Sequence, residues 1–250
     1  LDQDLDWVAQ LAVVPADADE RLAEHERVFG QQVFAFESVF LSPDGLRGSA
    51  EGPCRAWFDR AGFAVPEMPD SLGSQLLLLA ELGAGDPYQA GAFYGEHLGR
   101  WAVPALLAIV RQQSTPYSLL AELVLELLPD PVPAELPEVP ALLHRERTGL
   151  RDIAAHLVTP AMAGLYLSRS TIEEIARSVG LPCGFGARRL VLQNLFQAAA
   201  EHDALPALRE ALDRESAWWS ERYLAAGAVE WNQRLEHQRA LVREIRKPAA

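Results

Sequence analysis

Histidines, cysteines and carboxylates are the side chains that could hold a metal or move a proton, and in this chain they are scattered. The six histidines (His25, His97, His144, His156, His202 and His237) form neither HxxxH nor HxxE with a nearby partner, the spacings that put two ligands on one helix face. Cys54 and Cys183 stand far apart, without the paired spacing of a zinc site or the crowding of a secreted disulfide domain. They read as two reduced, partly buried thiols. Glu96 and His97 are neighbours, so on a helix they point about 100° apart and do not make a dyad. His97 therefore reads as a packed or capping histidine. The glycines of residues 180–186 (GLPCGFG) follow no strand and lack both the P-loop lysine and the GxGxxG order. No serine or cysteine has the local frame of a nucleophile. These residues predict no enzyme active site, no metal site and no cofactor.

The elements that must position any site read as helices. With 49% hydrophobic and 23% charged residues in 250, the composition suits a globular chain with a sizeable core. No apolar run reaches the roughly 18 residues of a membrane span, and the acidic start LDQDLDWVAQ lacks the pattern of an export signal. The expectation is a cytoplasmic protein without stable membrane insertion. The formal net charge is −13, and residues 1–130 hold 20 acidic against seven basic residues while residues 131–250 hold 15 of each. The whole excess lies in the N-terminal part. It favours a cationic partner and disfavours nucleic acid, and it equally suits a surface kept acidic for solubility.

Residues 68–101 (MPDSLGSQLLLLAELGAGDPYQAGAFYGEHLGRW) form the centre of the pattern. One helix runs from Asp70 through Leu72, Leu76, Leu79 and Leu82, with Leu77 and Leu78 adding apolar surface on other sides, so burial on most of its circumference is expected. A second starts at Asp86 as N-cap with Pro87 in its first turn and places Phe93, His97, Leu98 and Trp101 at helical spacing. Pro104 should bend or divide it. Before this stretch, residues 5–14 read as a short helix. Asp17 or Asp19 caps a longer helix carrying Leu22, Val28, Phe29, Val33, Phe36 and Phe40, and residues 42–45 (SPDG) form a turn. Residues 53–61 form another helix. After it, a helix opens at Thr115-Pro116 and stops at Leu128.

The segment PDPVPAELPEVP has five prolines between Pro129 and Pro140 and predicts a hinge. The expected organisation is an all-α helical bundle of roughly ten helices: a subdomain over residues 1–128, the hinge over 129–140, and a second subdomain over 141–250. Helices are expected at 141–157, 172–179, 188–201, 206–224 and 231–245, with Ser170 and Glu173 as a capping box and Gly180 ending the helix it opens. No run of alternating β-branched residues predicts a strand. Residues 171–196 suggest a helix-turn-helix, but LPCGFG is longer than the usual turn and this half has no net positive charge. A DNA-binding protein is one alternative reading; a helical interaction or scaffold protein with an unrelated client is another.

Residues 67–76 (EMPDSLGSQL) resemble the signature of the TorD/DmsD/NarJ-type redox-enzyme maturation chaperones: proline, then Asp-His, an apolar residue, and a glutamate three positions on. Residues 93–101 (FYGEHLGRW) are similar to a second block of that family, a phenylalanine followed by His-Leu and tryptophan. Residues 40–43 (FLSP), 164–169 (GLYLSR) and 184–189 (GFGARR) look like a longer TorD-like subgroup. The resemblance covers most of the chain. Two positions depart: Ser71 stands where the family usually has histidine, and Gln75 where it usually has glutamate, so two ionisable groups become neutral hydrogen-bonding groups.

The resemblance implies an all-helical cytoplasmic chaperone for a molybdenum or tungsten oxidoreductase of the dimethyl-sulfoxide-reductase type. It would bind the twin-arginine leader or N-terminus of the catalytic subunit, as a monomer or a domain-swapped dimer, until the cofactor is inserted. A receptor for such a leader needs carboxylates beside an apolar groove. The expected peptide site is Asp70 for the guanidinium, Ser71 and Gln75 for peptide hydrogen bonds, and Phe93, Tyr94 and Trp101 for the apolar segment, with Leu72 and His97 beside them. Phe93 and Trp101 suit a core position equally well.

Overall fold

The computed structural model describes residues 17–42, 48, 50–138 and 149–243. Among them are 13 α-helices and no strand, an all-α fold with more helices than the roughly ten expected. The expected helix at 5–14 and most of the SPDG turn fall outside the described residues. The described chain forms two compact units that change over between Pro133 and Ala134, with residues 41–42 belonging to the second.

The first unit opens with α1 (Ala18–His25), whose N-cap is Asp17: its carboxylate accepts from the Asp19 N–H. The expected long helix does not continue. A π-helical turn follows (Glu26–Gln32), in which the Val33 N–H reaches back five residues to the Val28 carbonyl at 2.7 Å. The wider turn brings Val28 and Val33, both fully buried, towards one face. Leu22, which α-periodicity would have kept on that stripe, is 67% exposed. The short α2 (Glu37–Leu41) and then α3 (Glu51–Ala61) follow; all of α2 but its last residue belongs to this unit.

In the central stretch, α4 (Leu72–Gly85) begins two residues after Asp70, where the pattern starts it, with Ser71 as its cap. Leu78 and Leu82 pack with Trp57, Phe58 and Phe93 in one apolar cluster, but Leu77 is exposed, so this helix is less enclosed than its leucine run implies. Asp86 caps α5 (Pro87–Glu96) by accepting from the Tyr88 and Gln89 N–H groups. The helical run breaks at His97 and Trp101, either side of a 3-10 turn (Leu98–Arg100), before α6 (Ala102–Val110). Pro104 lies inside the first turn of α6, where a missing N–H costs no helical bond. Every residue from Ala102 to Ile109 is buried. α7 (Thr115–Leu127) packs against α6.

The second unit contains α8 (Leu150–Leu157), α9 (Pro160–Ala163), α10 (Arg169–Ser178), α11 (Arg188–Glu201), α12 (Leu205–Ala225) and α13 (Val229–Arg243). The cap of α10 is Ser168, which accepts from the Thr171 N–H at 3.1 Å. The expected capping box at Ser170 does not form, because Glu173 turns to Arg169 at 2.8 Å. The Arg188 guanidinium lies 4.3 Å from the Tyr166 ring centroid and donates to the Leu167 carbonyl, so the GLYLSR and GFGARR blocks meet in space. Among the described residues no helix is long and apolar enough to cross a membrane.

Gly164 has φ +72° at the end of α9, and a Cβ there would fall 2.4 Å from the Leu235 N of α13. Gly62 has φ +76° with open space around it. Gly164→Ala is therefore expected to cost more than 2 kcal/mol, roughly, and Gly62→Ala only about 1, the left-handed penalty without the clash. Urea unfolding of the two variants beside the parent measures the difference.

Candidate functional site

The segment of residues 70–72 is bound to residues 35–38 by backbone and side-chain bonds. Glu37 N–H donates to the Asp70 carbonyl and Leu72 N–H to the Ala35 carbonyl, each at 2.9 Å, around an isolated antiparallel bridge between Phe36 and Ser71. The Asp70 carboxylate accepts from the Ser38 hydroxyl at 2.7 Å and the Ser38 N–H at 3.4 Å. Asp70 thus caps the first N–H groups of α2 from another part of the chain, while Ser71 caps α4 by accepting from the Ser74 N–H. Two adjacent residues start two helices.

That junction brings Glu37 inside, where a buried polar cluster forms around its carboxylate. Oε2 of Glu37 accepts from Gln75 Nε2 at 2.6 Å, lies 2.9 Å from His97 Nδ1, and accepts from the Cys54 thiol at 3.3 Å. Cys54 Sγ is also 3.3 Å from His97 Nδ1 and 3.2 Å from Gln75 Nε2. Trp101 Nε1–H can only donate, and it donates to Gln75 Oε1 at 3.1 Å. The amide is therefore held with its oxygen on the indole and its NH2 on the carboxylate and the sulfur. All five residues are buried. Burial, then the Glu37 charge, push the Cys54 thiol well above its ordinary range, so the bare sulfur is no nucleophile. The geometry agrees, since carboxylate and sulfur share one ring nitrogen, whereas a catalytic relay puts nucleophile and acid on opposite nitrogens. Glu37, Cys54 and His97 do form a set of carboxylate, thiol and imidazole with mutually adjacent ligand atoms.

A separate apolar groove of about 500 Å3 opens in the same unit between the α1–π segment, the start of α4, and α6 and α7. Phe29, Phe36, Leu76, Tyr117, Leu120 and Val124 are among its walls, and Glu26 stands at its edge. Leu120 is 44% exposed, apolar surface facing solvent. The groove falls in the size range of ligand and peptide pockets.

The expected peptide-site residues separate into two groups. Ser71 and Leu72 line the groove. Asp70, Gln75, Phe93, His97 and Trp101 are in the interior, between 0 and 4% exposed, so in this conformation they hold the frame and do not face a peptide. Tyr94 is also buried; its hydroxyl donates to the Pro129 carbonyl at 2.6 Å, tying α5 to the start of the proline-rich segment, and burial followed by the Asp130 charge pushes it up to about 12. Glu96 points elsewhere than His97, accepting from Trp57 Nε1 at 2.8 Å, which agrees with the two residues not forming a dyad. Local spacing gave no sign of the cluster, because Glu37, Cys54 and His97 come from three elements. The tertiary role of Glu37 could have been suspected only from a carboxylate among apolar neighbours (FAFESVF). No protein-family model, no curated protein and no solved structure matches this chain.

Replacing Gln75 by leucine strips Glu37 of its shortest donor and leaves the Trp101 N–H unpaired. A loss of about 3 kcal/mol in unfolding free energy is expected, against about 1 for Ser71→Ala, which removes a helix cap. Thiol titration of the parent should label Cys54 only after denaturant is added, because the residue is fully buried; Cys183 is partly accessible.

Proposed function

We propose that this chain is a cytoplasmic maturation chaperone of the TorD/DmsD/NarJ type, which holds the twin-arginine leader or N-terminus of a molybdenum or tungsten oxidoreductase before cofactor insertion. The observation that carries the reading is the apolar groove in the acidic part of the chain. A twin-arginine leader presents two guanidinium groups followed by an apolar segment, and the groove takes the apolar part by burial of alternate side-chain clusters. Glu26 at its edge, with the exposed Glu20, Glu122 and Glu126 on the bounding helices, provides a negative field for the arginines. Ser71 and Leu72 remain in the peptide site as groove wall. Asp70, Gln75, Phe93, Tyr94, His97 and Trp101 become the support behind it, which relocates the guanidinium partner from Asp70 to the rim.

Calorimetric titration with twin-arginine leader peptides of molybdoenzymes tests the reading. Binding should weaken with rising salt, fall about tenfold for a double-lysine leader, and fall by a similar factor in Leu120→Asp, whose exposed position preserves the fold. A leader bound equally well by Leu120→Asp would remove the groove from the reading. Failure to bind both leader peptides and an intact catalytic subunit would overturn the chaperone itself.

A further inference from the structure

We propose that Glu37, Cys54 and His97 form a site for a divalent transition metal of the zinc class. Carboxylate oxygen, imidazole nitrogen and sulfur together are the donor types such an ion selects, and hard cations such as magnesium or calcium avoid sulfur. The three residues come from α2, α3 and the end of α5, yet their ligand atoms form a triangle with sides of 2.9, 3.3 and 3.3 Å. Bonds of about 2.0 Å to oxygen and nitrogen and about 2.3 Å to sulfur place tetrahedral ligands roughly 3.3–3.6 Å apart. Each donor need withdraw only a few tenths of an ångström to admit the ion.

The surroundings fit a ligated sulfur. Trp101 fixes the Gln75 amide so that its NH2 faces both Cys54 Sγ and Glu37 Oε2, the outer contact that orients and stabilises metal-bound anions. Charge points the same way. Among the described residues the ion-pair partner of Glu37 is His97, with no arginine or lysine, and a divalent ion with one carboxylate and one thiolate is neutral overall, which lowers the cost of burial. On binding, the Cys54 S–H bond breaks and its proton passes to solvent. To coordinate through Nδ1, His97 gives up the proton that this nitrogen turns to Glu37 and carries its one ring proton on Nε2. Water completes the fourth position. The ion then staples α2 to α3 and to the α5 end, behind the groove, a role that does not depend on what the groove binds.

Metal analysis and cobalt substitution on the full chain test the proposal, in a Cys183→Ser background so that Cys54 is the one sulfur donor among cysteines. About one zinc per chain is expected after purification without chelator. Refolding the metal-free chain with Co2+ should give a thiolate-to-cobalt charge-transfer band and the visible bands of a four-coordinate ion. Further Cys54→Ser substitution should abolish the charge-transfer band, and zinc should raise the Tm of the metal-free Cys183→Ser protein. Less than about a tenth of an equivalent of zinc together with no charge-transfer band in folded Cys183→Ser protein would overturn the site. So would a band that survives Cys54→Ser.

Discussion

A carboxylate taken out of water must be met by donors, and in the first unit the carboxylate of Glu37 sets that demand. It is satisfied from three directions, by Gln75 on α4, Cys54 on α3 and His97 at the end of α5. An unpaired buried charge costs several kcal/mol, so these elements can take only the arrangement in which the donors converge. Apolar packing of Trp57, Phe58, Leu78, Leu82 and Phe93 supplies most of the driving force. It is non-directional, and the polar cluster is what selects one register of the four helices.

The junction of residues 35–38 with residues 70–72 serves the same end. Asp70 and Ser71 satisfy the first N–H groups of α2 and α4, and the backbone bonds on either side hold Glu37 where Gln75 can reach it. The signature-like segment therefore acts first as architecture. Its outer face, Ser71 and Leu72, reaches the groove wall, so the buried network and the surface proposed to bind a leader are two sides of one short segment. The neutral amide of Gln75 has a physical consequence as well: it can donate to Glu37, whereas a carboxylate at that place would repel.

The composition already separated the chain into an acidic N-terminal part and a balanced C-terminal part. The groove lies in the acidic part, with Glu26 at its edge. The leader proposed for it is basic and apolar at once, which suits an apolar groove in an acidic part of the chain. In the second unit some charges meet one another or a ring: Arg188 stacks on Tyr166, and Asp213 pairs with Arg239 and Arg243, which holds the Asp213 carboxyl below its usual range.

Residues alone determined the all-α class, the Asp86 cap and the helix of residues 188–201, because periodicity, capping and turn chemistry act over a few neighbours. They misplaced the cap of α10 by two residues and extended α1 through the π-turn, where burial of Val28 and Val33 overrode the α-period. They offered Asp70 and Gln75 for a peptide, and Trp101 for a peptide or the core alike, and could not tell that all three are buried. Whether a polar residue faces a ligand or a buried partner depends on contacts 21 to 60 positions away, such as Gln75 with Cys54 and His97 with Glu37. No local spacing encodes those contacts. Only the tertiary structure could bring the carboxylate, sulfur and imidazole to one point, since their meeting is a property of how helices pack and not of the order in which they occur.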